Sequence, residues 1–313
     1  MADIVNRVVP IVLLLGLGLV MRAARFITAA TVADLRRLVV TVALPAVLFV
    51  AFLGVDLEPD DVVVVGVVFG LCSVLYLAGR SLRPAIAPDH EYFPFLMSGF
   101  EAGMLGISLF GSAYGISRVG AFAVVDLGHE LFIWFVLLAL LLAKRDGVQH
   151  ATALLGAFLR SPVIVAILTG IAANLLGLGD RLYEWPLTGG VMNTLDFLAG
   201  LTVPLILLII GYGLRLDVAG IRTALVPVAT RLAMVLPLAI VLPPLLRGNV
   251  LNDSAYAEAA LFTLLVLPPP FIIPLYMREG ESTERRYVNN ALSLHTVVSV
   301  LIFVVYLAID PIG

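Results

Sequence analysis

Apolar residues gather into ten stretches along the chain, at 5–22, 37–55, 62–79, 92–114, 119–143, 155–177, 190–214, 223–246, 255–277 and 287–309, with short polar segments between them. A helix needs about 20 apolar residues to cross the hydrocarbon core of a bilayer. Each stretch therefore predicts a transmembrane helix. Ten spans of about 20 residues take up about 200 of the chain's positions, and nine loops and two tails share the rest, so no soluble domain fits. The first run could be read as a signal peptide, but it has no convincing cleavage site, and the internal repeat described below needs it as a helix.

Basic residues set an orientation. The segments after the first, third, fifth, seventh and ninth spans hold 14 lysines and arginines, among them Arg22, Arg25, Arg36, Arg37, Arg80, Arg83, Lys144 and Arg145. The opposite side holds four: Arg7, Arg118, Arg181 and Arg247. The positive-inside rule places the richer side in the cytoplasm, which puts both termini outside. Composition agrees with the pattern. The 313 residues are 61% hydrophobic and 13% charged, against about 25% charged in an ordinary soluble domain. The mean hydropathy is +1.08. These values exclude a cytosolic enzyme, a secreted disulfide scaffold and a disordered chain. A net charge of −3 without a basic run gives no sign of nucleic acid as a partner, and the lone Cys72 excludes an intrachain disulfide.

The two halves, 1–146 and 151–313, resemble each other. Leu44-Pro45-Ala46-Val47-Leu48 in the second span matches Val203-Pro204-Leu205-Ile206-Leu207 in the seventh, 159 positions later. At the same offset Gly54 matches Gly213 and Leu57 matches Leu216, while Asp56, outside, becomes Arg215, inside. Gly115 and Gly280, which close the fourth and ninth spans, stand 165 apart. Five helices is an odd number, so the second copy is inverted, a mark of secondary transporters. Pro45 and Pro204 then read as paired bending points in a scaffold half.

The fourth and ninth spans hold the same place in the two halves, and both are interrupted. The fourth runs Ser98-Gly99-Phe100-Glu101-Ala102-Gly103-Met104-Leu105-Gly106-Ile107-Ser108, and the ninth carries Pro268-Pro269-Pro270 and then Pro274. Proline lacks an N–H and its ring clashes with the preceding turn. Backbone freed in this way survives in lipid only where it is buried or lines a cavity. Paired interrupted helices are the strongest sequence pointer to a transporter binding site. Here they nominate Glu101, Gly103, Gly106, Ser108, Pro268, Pro269 and Pro270. The alternative is a pair of packing kinks, with glycines allowing close approach.

The layout and several motifs resemble the auxin efflux carrier family, whose wider relatives include the bile acid–sodium symporters. The motifs are Leu44-Pro45-Ala46, Gly103-Met104-Leu105-Gly106, Asp126-Leu127-Gly128, Arg160-Ser161-Pro162-Val163-Ile164-Val165-Ala166-Ile167, Pro204 to Gly211, the prolines of the ninth span and Thr296-Val297-Val298-Ser299. The resemblance implies an all-α polytopic membrane protein with ten transmembrane helices in two inverted five-helix repeats. It also implies broken helices four and nine that cross at mid-membrane, and transport of an organic anion. A homodimer is common among such relatives. The sequence departs from the family pattern at Glu101, where an asparagine is usual, at Ser108, where a proline is usual, and at His129, where asparagine is frequent. Asp196 is unusual in a helix that the family keeps mostly apolar.

Ionisable groups at bilayer depth are rare and point to function. Glu101 reads as a proton-coupling group, as a ligand for a cationic group, or as a structural hydrogen bond in place of the asparagine. Asp126, His129 and Glu130 share one helical face, with Glu130 about 16 Å into its span at 1.5 Å per residue. They form either a proton relay or a polar clasp with a partner such as Arg231. Arg231, about 12 Å from the cytoplasmic end of its helix, either forks a substrate carboxylate or pairs with an internal acid, which is the more common arrangement. His295, Thr296 and Ser299 form a polar face on the tenth span, and Asn289 and Asn290 begin that helix and suit a cap.

The resulting expectation is a carrier of a small organic anion working by alternating access, either as a uniporter or coupled to protons, or less readily to sodium. It would be a multi-pass protein of the bacterial cytoplasmic membrane, with the bilayer and its substrate as partners, no metal, no cofactor and no enzymatic activity. A bile-acid-type sodium symporter is the nearest rival, but it needs oxygen-rich cation sites where this chain is rich in proline and glycine. An intramembrane enzyme of the prenyltransferase kind needs paired acidic motifs for magnesium, and the only candidate is Asp60-Asp61, in an outside loop. A membrane receptor or scaffold has no need for two matched helix breaks.

Overall fold

The computed structural model describes residues 2–55, 58–147, 151–214, 220–247, 251, 255–278 and 280–309. Asp56, Leu57, Arg215 and Leu216, which carry part of the repeat, lie outside them. The described residues form fifteen α-helices with short π and 3-10 turns, and no strand beyond an isolated bridge between Arg247 and Leu251. Eight helical segments are long and apolar enough to cross a membrane, and a bent pair brings the number to nine. The chain is a multi-pass helical membrane protein.

In chain order, α1 is Ala2–Ala23, and α2 (Ala29–Leu38) continues through a π turn, Val39–Ala43, into α3 (Leu44–Gly54). The turn sits immediately before Pro45, and such widening lets a helix absorb a residue without an N–H. After α4 (Asp61–Ile86), the fourth span comprises α5 (Phe93–Met97), an unwound stretch over 98–101, a π turn Ala102–Gly106 and α6 (Ile107–Tyr114). The fifth contains α7 (Val119–Phe132), a π turn and α8 (Leu138–Asp146). Next, α9 (Ala151–Arg160) and α10 (Pro162–Leu175) meet at a 68° bend. Ser161 precedes a proline, which disfavours its helical conformation. They are followed by α11 (Gly179–Glu184), α12 (Pro186–Gly213), α13 (Ile221–Leu246), α14 (Ala255–Val266) and α15 (Ser282–Ile309).

Two expectations are corrected here. The ninth span is broken, as its prolines predict, but 255–277 does not hold a transmembrane helix of about 20 residues: α14 has 12 residues, and beyond the break only a 3-10 turn, Ile273–Leu275, follows. Leu267 precedes the first of three prolines and so leaves the helical region, and none of Pro268, Pro269 and Pro270 can donate to a resumed helix. Asn289 and Asn290 do not cap α15, which starts at Ser282, so they lie in its second turn and beyond.

The chain divides into two compact units, each drawing segments from both sequence halves. The first comprises Met1–Leu57, Gly103–Ala123 and Gly156–Leu214, and the second Glu58–Ala102, Val124–Leu155 and Arg215–Gly313. In the first unit α1 lies along α12, and α10 along α3. Both contacts are backbone to backbone. A Cβ added at Gly211 would stand 2.1 Å from the Leu15 carbonyl oxygen, and one at Gly170 would stand 2.9 Å from that of Phe49. Close approach over small residues is how helices pack where lipid removes the hydrophobic drive between them. Thr202 donates its hydroxyl to the Ala43 carbonyl at 3.1 Å, across the same 159-residue offset that relates the halves. Pro45 and Pro204 both belong to this unit. Gly211→Val is expected to push α1 off α12 and abolish the monodisperse peak in size-exclusion chromatography. Gly213→Val, whose new Cβ meets nothing within 4 Å, is expected to preserve it.

In the second unit α13 packs on α14 and α15, and α5 packs on α4 and α13. Outside the spans, Lys144 at the end of α8 binds Glu91 ahead of α5. That hydrogen bond holds the Glu91 carboxyl below its usual range. His90 bonds Glu284 at 2.7 Å and stacks on Tyr287 with ring centroids 3.6 Å apart, which ties the entry of α5 to the start of α15.

Candidate functional site

The second unit brings the two helix breaks together. Gly99 adopts φ +63°, a left-handed conformation that costs other residues about 1–2 kcal/mol. There the chain turns out of α5. A Cβ on Gly99 would lie 2.8 Å from the Pro270 ring, so the residue is also pressed against the other break. The Glu101 N–H donates to the Pro268 carbonyl at 2.8 Å. The Glu101 carboxylate accepts the Phe271 N–H at 2.5 Å. Backbone groups that proline and glycine release from one span are thus met by the other, as a low-dielectric surrounding demands.

Arg231 of α13 closes the opposite side of this junction. It is wholly buried. Its guanidinium donates to the Leu96 carbonyl at 3.1 Å, to that of Gly99 at 2.5 Å and to that of Leu267 at 3.5 Å, and it lies over the Phe100 ring at 4.7 Å. The Leu96 and Leu267 carbonyls lie at the ends of α5 and α14, where the last turn of a helix leaves acceptors unpaired and partially negative, and the Gly99 carbonyl belongs to the unwound stretch. The pairing with an internal acid expected for Arg231 is therefore corrected: among the described residues no carboxylate forms an ion pair with it. Its planar fork suits converging carbonyls, and its two terminal nitrogens are spent on them rather than offered to a substrate. The signs match on both sides of the junction, a cation on C-terminal carbonyls and an anion on an N–H.

Asp126, His129 and Glu130 all lie on α7. His129 is buried, with Nδ1 2.8 Å from Asp126 Oδ1, and its Nε2 accepts the Phe100 N–H at 2.9 Å. A ring nitrogen that accepts carries no hydrogen, so the ring is neutral and its hydrogen sits on Nδ1, facing Asp126. Glu130 turns away to accept the Trp134 indole N–H at 3.0 Å. One ligand atom from each of the three falls within 4.8 Å of the others, spacing that suits a cation. With Nδ1 protonated, however, the lone pair a metal needs is taken.

The remaining candidates are distributed as follows. His295 is buried, but its Nε2 has no partner among the described residues, so it does not extend the His129 chain into a relay. Thr296 bonds its own helix at Leu292, and the buried Ser299 hydroxyl has no partner among those residues. Gly103, Gly106 and Ser108 belong to the first unit, where Ser108 is fully buried. Asp196 is exposed and accepts a hydrogen bond from Tyr183 at 3.1 Å. A separate cavity of about 650 Å³ lies in the second unit among α13, α14 and α15. Its walls are apolar apart from Glu258 and Tyr306, and no candidate residue lines it.

Sequence reasoning missed Trp134 and the Phe100 amide. Trp134 stands four residues after Glu130, a spacing that places them on one face. Phe100 gave no side-chain signal, because its contribution is a backbone N–H. No family model and no curated protein matches this chain.

Proposed function

We propose that the chain is a secondary carrier of a small organic anion, of the auxin efflux carrier type, working by alternating access. The observation that carries this reading is the junction of the two interrupted spans through Glu101, Pro268 and Phe271. Such helices bind substrate at their broken backbone in carriers built from inverted repeats. The interleaving of the units along the sequence supports ten helices in two inverted copies, as does the Ala43–Thr202 contact at the repeat offset. In this reading the protein sits in the bacterial cytoplasmic membrane with both termini outside.

The Glu101 carboxylate occupies the Phe271 N–H, which is what a substrate carboxylate would seek. Glu101 acts as a resident competitor: a proton on it weakens its hold on the N–H and lets the substrate's carboxylate take its place, so proton and anion load together. Small carboxylates are expected to raise the melting temperature of wild-type protein more at low than at high pH. Glu101→Gln should bind them with no pH dependence. Equal pH dependence in the two proteins removes Glu101 from coupling. An absence of stabilisation by any carboxylate in either protein counts against the anion reading itself.

A further inference from the structure

The unwound stretch between α5 and the following π turn is pinned at successive residues. Gly99 is held by its carbonyl on Arg231, Phe100 by its N–H on His129, and Glu101 by its N–H on Pro268 and its carboxylate on Phe271. Three of the four ties are insensitive to a proton on His129. The tie at Phe100 is not. It exists only while Nε2 is bare, and a proton placed there turns the acceptor into a second donor. An imidazolium N–H cannot face the Phe100 N–H at 2.9 Å.

We propose that His129 is a proton-binding latch: a proton taken from water onto Nε2 expels the Phe100 amide and frees the unwound stretch of the fourth span. No covalent bond changes. The ring goes from neutral to cationic, keeps its Nδ1–H on Asp126, and turns its new N–H toward another acceptor. The charged and titratable groups around the ring are Asp126 and Glu130 from its own helix and Glu101 from the break. From α4, the buried Cys72 thiol lies within electrostatic reach of Asp126 and Arg231, and Arg231 is the cation held on the same stretch. Phe100, once released, keeps its ring against Arg231, so the movement is confined to the backbone between Gly99 and Glu101. The latch does not require the transport reading. It predicts a conformational response to protons in the absence of any substrate, and its failure leaves the carrier proposal standing.

The test uses the full chain in nanodiscs without substrate. Hydrogen–deuterium exchange of the peptide containing Phe100, corrected for intrinsic rate by the peptide covering 107–114, is followed from about pH 8.5 to about pH 5.5, the range in which histidine changes charge. Wild-type protein is expected to lose protection at Phe100 by about tenfold, the scale of one hydrogen bond, while the reference peptide stays constant. His129→Gln, whose amide oxygen accepts the Phe100 N–H at every pH, is expected to keep that protection throughout. A second measurement covers a variant that fails to fold. The ¹⁵N spectrum of histidine-labelled protein carrying His90→Gln, which removes the other ring whose Nδ1 faces a carboxylate, should show the His129 ring with its hydrogen on Nδ1 at high pH, converting to the cation across the same range. Constant protection in wild-type protein overturns the latch, as does an equal loss in His129→Gln or a His129 ring that carries its hydrogen on Nε2.

Discussion

Arg231→Met is expected to abolish the stable fold of the second unit, lowering the melting temperature by more than any substitution on the lipid-facing surface. Three carbonyls, at the ends of α5 and α14 and in the unwound stretch between α5 and α6, lose their donor. A buried acceptor left unsatisfied costs about 1–3 kcal/mol, and the substitution leaves three of them. Methionine fills the volume and offers nothing to those oxygens. Arg231→Lys keeps the charge on a single ammonium that cannot span all three sites, so its melting temperature should fall between the two. Thermal unfolding in nanodiscs checks this order. A methionine variant melting within about 2 °C of wild type, a shift of about 1 kcal/mol for a chain of this size, would show that the carbonyls are satisfied some other way.

Gly99→Ala is expected to leave the helices folded and to eliminate transport. The left-handed φ costs an alanine about 1–2 kcal/mol, and its methyl group would stand 2.8 Å from the Pro270 ring, where something must move. The displacement falls on the junction itself, between Arg231's hold on Gly99 and the Phe100 amide on His129. Gly66→Ala, in a helix where a new Cβ meets nothing within 4 Å, serves as the control and should transport normally. Circular dichroism and uptake measured on the same preparations separate the two expected effects. Full transport by Gly99→Ala would place the working site elsewhere.

The sequence made the long spans legible because a lipid-facing helix needs little more than length and apolarity. It exposed both breaks for a related reason: three prolines in a row and a cluster of glycines are local signals with local consequences. Two things were not legible. The length of the ninth helix depends on whether backbone after Pro270 can resume a helix, which tertiary partners decide. The role of Arg231 was read from a general habit of buried charges, to pair with acids. The partners here are carbonyl oxygens, which every residue has and no residue type advertises. The same limit hid Phe100, while Asp126 and His129 stood out by type and spacing, and their contact at 2.8 Å follows from an i, i+3 pair on one helix.

The central claim is that an anion crosses the membrane through a carrier whose site is the junction of the two interrupted spans. Counterflow tests it most directly. Proteoliposomes are loaded with an unlabelled carboxylate, and transient accumulation of the labelled form is followed across a small panel of carboxylates, with Gly99→Ala liposomes in parallel. The account predicts an overshoot for at least one carboxylate in wild-type protein and none in Gly99→Ala. Absence of overshoot for every anion with folded wild-type protein, or an equal overshoot in Gly99→Ala, would contradict it.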